Sequence, residues 1–289
     1  MTEVPITSRS GGRTARPMKK TPQQKAASTH SGGGAPISYD ELPDDKVFTL
    51  DISGEKGVGK THLACSFPKS LAIADTEYKA YTVAKKFDNI LWKRVENFVD
   101  VRSLVQDALD NDDIKTVVVD SGADLVAMAG LEWNAETGKN YRWPISNYGH
   151  AYDKVDELIL PLEENRKYFV ATSRMKDEWI GDVSTGRRIR DGYKKFPWSL
   201  SLNIHLRHGI QIGSKTHFED YVFGEVTKSN FHGIDHRTGL TYSKPYLFEC
   251  TFEGIQKELL QPWGDGVLSG KRNETIVAEA EEWIKQYRK

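Results

Sequence analysis

The sequence predicts an α/β fold in which a mainly parallel sheet is flanked by helices. Three observations carry this. Short apolar runs alternate with stretches of helical spacing, and a glycine-rich turn falls between the first run and the first helix. Lys115–Asp120 (KTVVVD) is apolar at successive positions, as a strand covered on both faces must be. A chain of 289 residues suffices for one large domain, or one domain with a small appendage. The 38% apolar share is modest, but seven Trp, twelve Tyr and eleven Phe can build a core. No apolar run approaches the roughly 18–20 residues that cross a bilayer, and no secretory pattern opens the chain. Cys65 and Cys250 are too few for a disulfide framework, so a reducing, cytoplasmic setting is expected. Secreted miniproteins, membrane proteins and fibrous chains are excluded.

Charge is balanced overall, 40 Lys+Arg against 41 Asp+Glu, but not along the chain. Arg9, Arg13, Arg16, Lys19, Lys20 and Lys25 meet only Glu3 within residues 1–39. That segment is rich in Gly, Ser, Thr and Pro and almost free of large apolar groups. Burial cannot offset its ordering entropy, so residues 1–45 are expected to form a disordered basic arm, open to a protein partner. Order is expected from Val47 onward. Val47–Ser53 reads as a strand, followed by the glycine-rich turn and a helix start at Thr61–Phe67. Leu71–Asp75 and Ile90–Val95 are further strands. Phe98–Leu109 has helical spacing, with Val101, Leu104, Val105 and Ala108 on one face. After the Lys115–Asp120 strand come a long amphipathic helix, Tyr148–Arg166, and a buried strand, Tyr168–Ser173. Beyond residue 200 short strands dominate (Ile204–Ile212, Tyr221–Thr227, Tyr246–Phe252), and Asn273–Tyr287 closes the chain as a helix. This places an α/β core at 46–206 and a β-rich extension, ending in a helix, at 207–289.

The turn Gly54-Glu55-Lys56-Gly57-Val58-Gly59-Lys60-Thr61 fits G-x-x-x-x-G-K-[ST], the phosphate-binding loop. Its glycines let the backbone curl until successive N–H groups face one anion. Lys60 reaches the β- and γ-phosphates of a nucleotide, and the Thr61 hydroxyl ligates Mg²⁺. Such a loop needs a carboxylate at the end of a neighbouring buried strand, and Asp120 supplies it. Ala74-Asp75-Thr76-Glu77 follows the second strand, where a carboxylate can orient or deprotonate an attacking water.

Three segments together resemble the core of RecA-type ATPases: the phosphate loop, the strand ending in Asp75-Thr76-Glu77, and Val117–Ser121 (VVVDS). The resemblance implies ATP and Mg²⁺ as cofactors, Glu77 as catalytic glutamate alongside Lys60, and Asp120 with Thr61 at the metal. Tyr168–Ser173 followed by Arg174 looks like the family's sensor strand, which leads into a DNA-binding loop. RecA carries Asn-Gln at that strand end, whereas this chain has Thr172 and Ser173. The chain is most similar to compact phage-type RecA-like ATPases of recombination and single-strand annealing. They share a Tyr-Gly before the long helix (Tyr148-Gly149) and a late V-x-K-S-x segment, here Val226–Asn230. Lys228 would then be offered to a neighbouring subunit's nucleotide. A homo-oligomer, ring or filament, is implied, with single-stranded DNA as partner and no membrane; a viral member would work in the host cytoplasm.

Residues 174–198 hold seven basic groups, four acids and the aromatics Trp179, Tyr193, Phe196 and Trp198. Basic groups interleaved with rings suit single-stranded nucleic acid. The candidates are Lys176, Trp179, Arg187, Arg188, Arg190, Tyr193, Lys194 and Lys195. Five histidines in the last third (His205, His208, His217, His232, His236) lack the compact spacing of a zinc site. Two other functions remain open: a nucleotide-dependent assembly or loader subunit with little hydrolysis, and a small-molecule kinase with Arg187, Arg188 and Arg190 as its lid. Removing residues 1–39 is expected to leave melting temperature and basal nucleotide turnover unchanged. A large drop in either would show that the arm docks.

Overall fold

The computed structural model describes residues 47–138, 148–192, 194–230, 233–234, 241–242, 245–260 and 273–287. The arm at 1–45 and Tyr193 lie outside them. The chain runs β1 (Thr49–Gly54), α1 (Lys60–Cys65), β2 (Leu71–Asp75), α2 (Tyr81–Ala84), β3 (Ile90–Arg94), α3 (Phe98–Asp110) and β4 (Thr116–Asp120). It continues through α4 (Leu125–Thr137), α5 (Tyr148–Glu164), β5 (Tyr168–Ser173), β6 (Met175–Ile180), β7 (Val183–Arg190) and α6 (Phe196–Ser199). The remainder is β8 (Leu202–Ile212), β9 (Lys215–Ser229), β10 (Gly233–Ile234), β11 (Thr241–Tyr242), β12 (Tyr246–Leu247), α7 (Phe252–Ile255), a π-helical turn Gln256–Leu260, and α8 (Asn273–Tyr287).

The main sheet has the order β12-β9-β8-β1-β5-β4-β2-β3. From β8 to β3 every pairing is parallel. β9 and β12 join antiparallel at the other edge. This is the mainly parallel sheet flanked by helices that the sequence predicts.

Alternation along each central strand divides the core into two layers. Val117, Val119, Phe169 and Ala171 face α3, α4 and α5. Val118, Val170, Leu50 and Ile52 face α1, the segment after it and the α7 region. Both faces are dry, which is why β2, β4 and β5 read as continuous apolar runs. On α3, Val101, Leu104, Val105 and Ala108 are all buried, as their spacing requires. A third cluster, including Ile210, Phe223, Phe248 and Ile284, packs α8 against the long hairpin of β8 and β9.

Two readings need correction. Residues 175–190 are not a loop but an antiparallel hairpin, β6 paired with β7, with a register shift between Asp177 and Trp179. Both of its faces are largely exposed, so no apolar alternation marks it. The strand expected over Tyr246–Phe252 stops at Leu247. The Thr251 side chain accepts the Gly254 N–H at 3.0 Å and caps a helix there instead. Among the described residues, no helix is long and apolar enough to cross a membrane.

Candidate nucleotide site

Parallel strands deliver their carboxyl ends to one edge of the sheet, and the order places β1, β5, β4 and β2 side by side. Gly54, Ser173, Asp120 and Asp75 are the last residues of those four strands. One edge therefore gathers groups that lie up to about 120 residues apart in sequence (Ser53 pairs with Ser173, Asp75 with Asp120).

The phosphate loop leaves β1 through Gly54, at φ +152°. A Cβ there would stand 2.6 Å from the Leu206 carbonyl oxygen and 2.9 Å from Val58 Cγ1, so only glycine fits. Gly57 and Gly59 hold φ +84° and +100°, which curl Glu55, Lys56 and Val58 around the turn. Lys60 Nζ donates to the carbonyls of Gly54 at 2.9 Å and Glu55 at 2.8 Å. Burial lowers its pKa below the ordinary lysine value, against the opposing pull of Asp120, Glu77 and Glu55. Its charge is thus held inside the loop that a phosphate would occupy. Behind the loop, Ser53 Oγ lies 3.1 Å from His205 Nδ1, and burial lowers the His205 pKa. The sequence reading considered His205 only for zinc and missed this contact.

Asp120 is the hub. Thr61 Oγ1 donates to its Oδ2 at 2.7 Å, and Thr172 Oγ1 donates to its Oδ1. Burial raises the carboxyl pKa, while the two hydroxyl donors act in the opposite sense. A hydroxyl and a carboxylate side by side are hard oxygen donors. They fit Mg²⁺, which binds through one or two carboxylates and shares the rest of its shell with water and phosphate. Among the described residues, no cluster of three or more His, Cys, Asp or Glu could cage a metal by itself.

Glu77 sits beside this hub. Its Oε2 accepts from Lys79 Nζ at 2.7 Å, and its Oε1 is 3.1 Å from Arg174 NH1. Arg174 also donates to Asp124 at 2.8 Å, so the residue after β5 spans Glu77 and the start of α4. Thr172 and Ser173 face inward, Ser173 donating to Asp51 Oδ1 at 2.6 Å. Lys228 donates to the Leu200 carbonyl of its own chain, and burial lowers its pKa.

The hairpin residues divide. Arg188 makes a two-pronged pair with Glu55 of the phosphate loop, at 3.0 and 2.9 Å, and also meets Asp177 at 2.9 Å. Arg190 pairs with the buried Asp51. Lys176 pairs with Asp191 at 2.7 Å, and Lys195 with Asp156 at 3.1 Å. Arg187 lies on the exposed face of β7, Lys194 is exposed, and Trp179, 60% exposed, stands near the hairpin tip with Ile180 and Val183. Arginines expected to meet nucleic acid thus mainly fasten the hairpin to the nucleotide edge.

Residues 49–196, more than half of the chain, match a family model described as an AAA domain. Among solved structures, that of the RadB recombinase aligns with a TM-score of 0.42 at 12% identity, covering 69% of this chain and 86% of that one. No curated protein matches.

Because an ionised Asp120 is costly to bury, Asp120→Asn should raise the melting temperature of the metal-free protein at neutral pH. It should also weaken Mg²⁺-dependent nucleotide binding. The sign follows from the raised carboxyl pKa: Asp120 favours the fold at low pH, and this contribution fades as pH climbs through the folded-state pKa. Thermal melts with and without Mg²⁺ and nucleotide check both halves, and a lower melting temperature in the variant would refute the first.

Proposed function

The chain belongs to this AAA-domain family, and from that premise we propose that it is a RecA-like P-loop ATPase that binds ATP with Mg²⁺ and hydrolyses it. The observation that carries the reading is the contact between Thr61 and Asp120 at the carboxyl edge, with Lys60 inside the loop beside them. Lys60 leaves two carbonyls to meet the phosphates, and the loop N–H groups orient them. Thr61 and Asp120 would hold Mg²⁺, which when bound neutralises charge on the phosphate oxygens. Glu77 receives the proton of the attacking water once its carboxylate leaves Arg174 and Lys79. Thr172 fixes Asp120 through its hydroxyl.

We further propose single-stranded DNA as the partner, in recombination, annealing or repair, engaged by the outer hairpin through Arg187 and Trp179 rather than through the paired arginines. A second reading has its own support. An apolar tip of Trp179, Ile180 and Val183 suits a protein neighbour, so the chain would be an assembly or loader subunit whose nucleotide cements contacts. The kinase reading is weaker, because Arg188 and Arg190 are engaged by Glu55 and Asp51 rather than free to close as a lid.

Glu77→Gln should retain ATP binding and lose about 10²-fold or more of turnover, since an amide cannot take the proton. If turnover survives within a few-fold while Asp120→Asn abolishes it, Glu77 is structural. For the hairpin, Arg187→Ala should flatten the salt dependence of single-stranded DNA binding by about one unit of slope. Trp179→Ala should cost about 1–3 kcal/mol with little change in slope. A wild-type protein that binds no single-stranded DNA or RNA at low salt, with or without ATP, would leave the assembly reading in front.

A further inference from the structure

Asp75 and Glu77 are two residues apart on the same turn, yet they meet opposite fates. Asp75 is fully buried. Its Oδ1 accepts the backbone N–H of Glu77 and of Lys79, each at 3.2 Å. Its Oδ2 accepts the Ala80 N–H at 2.9 Å and the Trp92 indole N–H at 3.0 Å. All of these partners are donors, two to each carboxyl oxygen, so the acceptor capacity of the side chain is taken up by this turn and Trp92. Nothing of Asp75 is left to touch water or substrate. The neighbouring Thr76 is pinned as well: its hydroxyl accepts the Ser121 N–H at 2.9 Å, just past Asp120. The turn is thus fixed on one side to β4 and on the other to the edge strand β3, while the Glu77 carboxylate is held by two side chains, Lys79 and Arg174, that are themselves exposed.

We propose that Asp75, with Trp92 as its anchor on β3, is the positioning residue that holds Glu77 in reach of the attacking water. The inference rests on the hydrolysis reading above. The Asp75 carboxylate replaces a helix or strand as the rigid support for 77–80, whose backbone has four consecutive residues outside regular structure. Loss of the carboxylate releases the Glu77 backbone itself. An asparagine at 75 would turn its amide NH₂ toward two of the donors, leaving at least one N–H unpaired in a buried place. Glu77 would keep its chemistry and lose its placement. The hydrogen bonds of the Asp75 carboxylate go to 77–80 and Trp92 rather than to the phosphate loop, Lys60, Thr61 or Asp120. Its charge bears on Asp120 only as a like-charge effect smaller than burial and the two hydroxyl donors, so nucleotide affinity should stay.

The test compares Asp75→Asn, Trp92→Phe and wild type as full chains. Asp75→Asn should lower kcat about 10- to 100-fold, the scale of a misplaced reacting group, with KM for ATP and Mg²⁺ dependence held. Trp92→Phe keeps the ring and removes one donor, so it should fold normally and lose only a few-fold in kcat. In ¹⁵N-indole spectra the Trp92 resonance, assigned by its absence from Trp92→Phe, should move in Asp75→Asn and stay in place in Glu77→Gln. A folded Asp75→Asn protein with wild-type kcat would overturn the proposal. If wild type hydrolyses no ATP, the hydrolysis reading fails, and the positioning claim is then judged by hydrogen exchange. Protected amides at Glu77, Lys79 and Ala80 that lose protection in Asp75→Asn would keep Asp75 as the support of this turn, while amides exchanging at free-loop rates in wild type would overturn it.

Discussion

A single buried carboxylate joins the parts of this molecule that have to act together. Asp120 ends a strand covered on both faces, and its two oxygens take the hydroxyls of Thr61, from the phosphate-loop helix, and Thr172, from the adjacent strand. Without the parallel order that sets β1, β5, β4 and β2 in a row, those hydroxyls would lie on different edges. A lone ionised carboxyl in such a place is costly; two donors and a neighbouring cation offset part of that cost. A metal ion bound there would complete the compensation and couple ion binding to the stability of the site.

The same economy recurs around Asp120. Asp75 is spent on backbone donors and Asp51 on Ser173 and Arg190, so each buried acid is assigned a fixed partner. Glu77 is the exception, held only by Lys79 and Arg174, two side chains that can move. On the hydrolysis reading proposed above, the acid that takes the proton is the one whose partners can be exchanged. The outer hairpin reaches the site through Arg174, Arg188 and Arg190, which touch Glu77, the phosphate loop and β1 in turn. The hairpin and the residue before it are therefore joined to the carboxyl edge by ion pairs.

Much of this was legible in the sequence because it depends on local pattern. Apolar runs fixed β2, β4 and β5; helical spacing fixed α3; and three glycines with Lys60 and Thr61 spelled out the loop. Helix α4 was missed because its first half, Leu125–Leu131, is apolar all round and shows no amphipathic period. The hairpin was missed because strands exposed on both faces carry no alternation. The pairing of its arginines was beyond reach for another reason: Glu55 and Arg188 are 133 residues apart, and Asp51 and Arg190 are 139 apart. Charge composition suggested a nucleic-acid surface, but composition cannot tell a free arginine from one already answered by a distant acid.

On the proposed reading, this carboxyl edge is a magnesium-dependent ATP hydrolysis site. Phosphate release from ATP by the purified full-length protein, followed with Mg²⁺ and again with excess chelator, tests it most directly. Steady release that requires Mg²⁺ and stops in the chelator is the expected result. A folded protein that neither binds ATP nor releases phosphate at millimolar Mg·ATP, with or without single-stranded DNA, would contradict it.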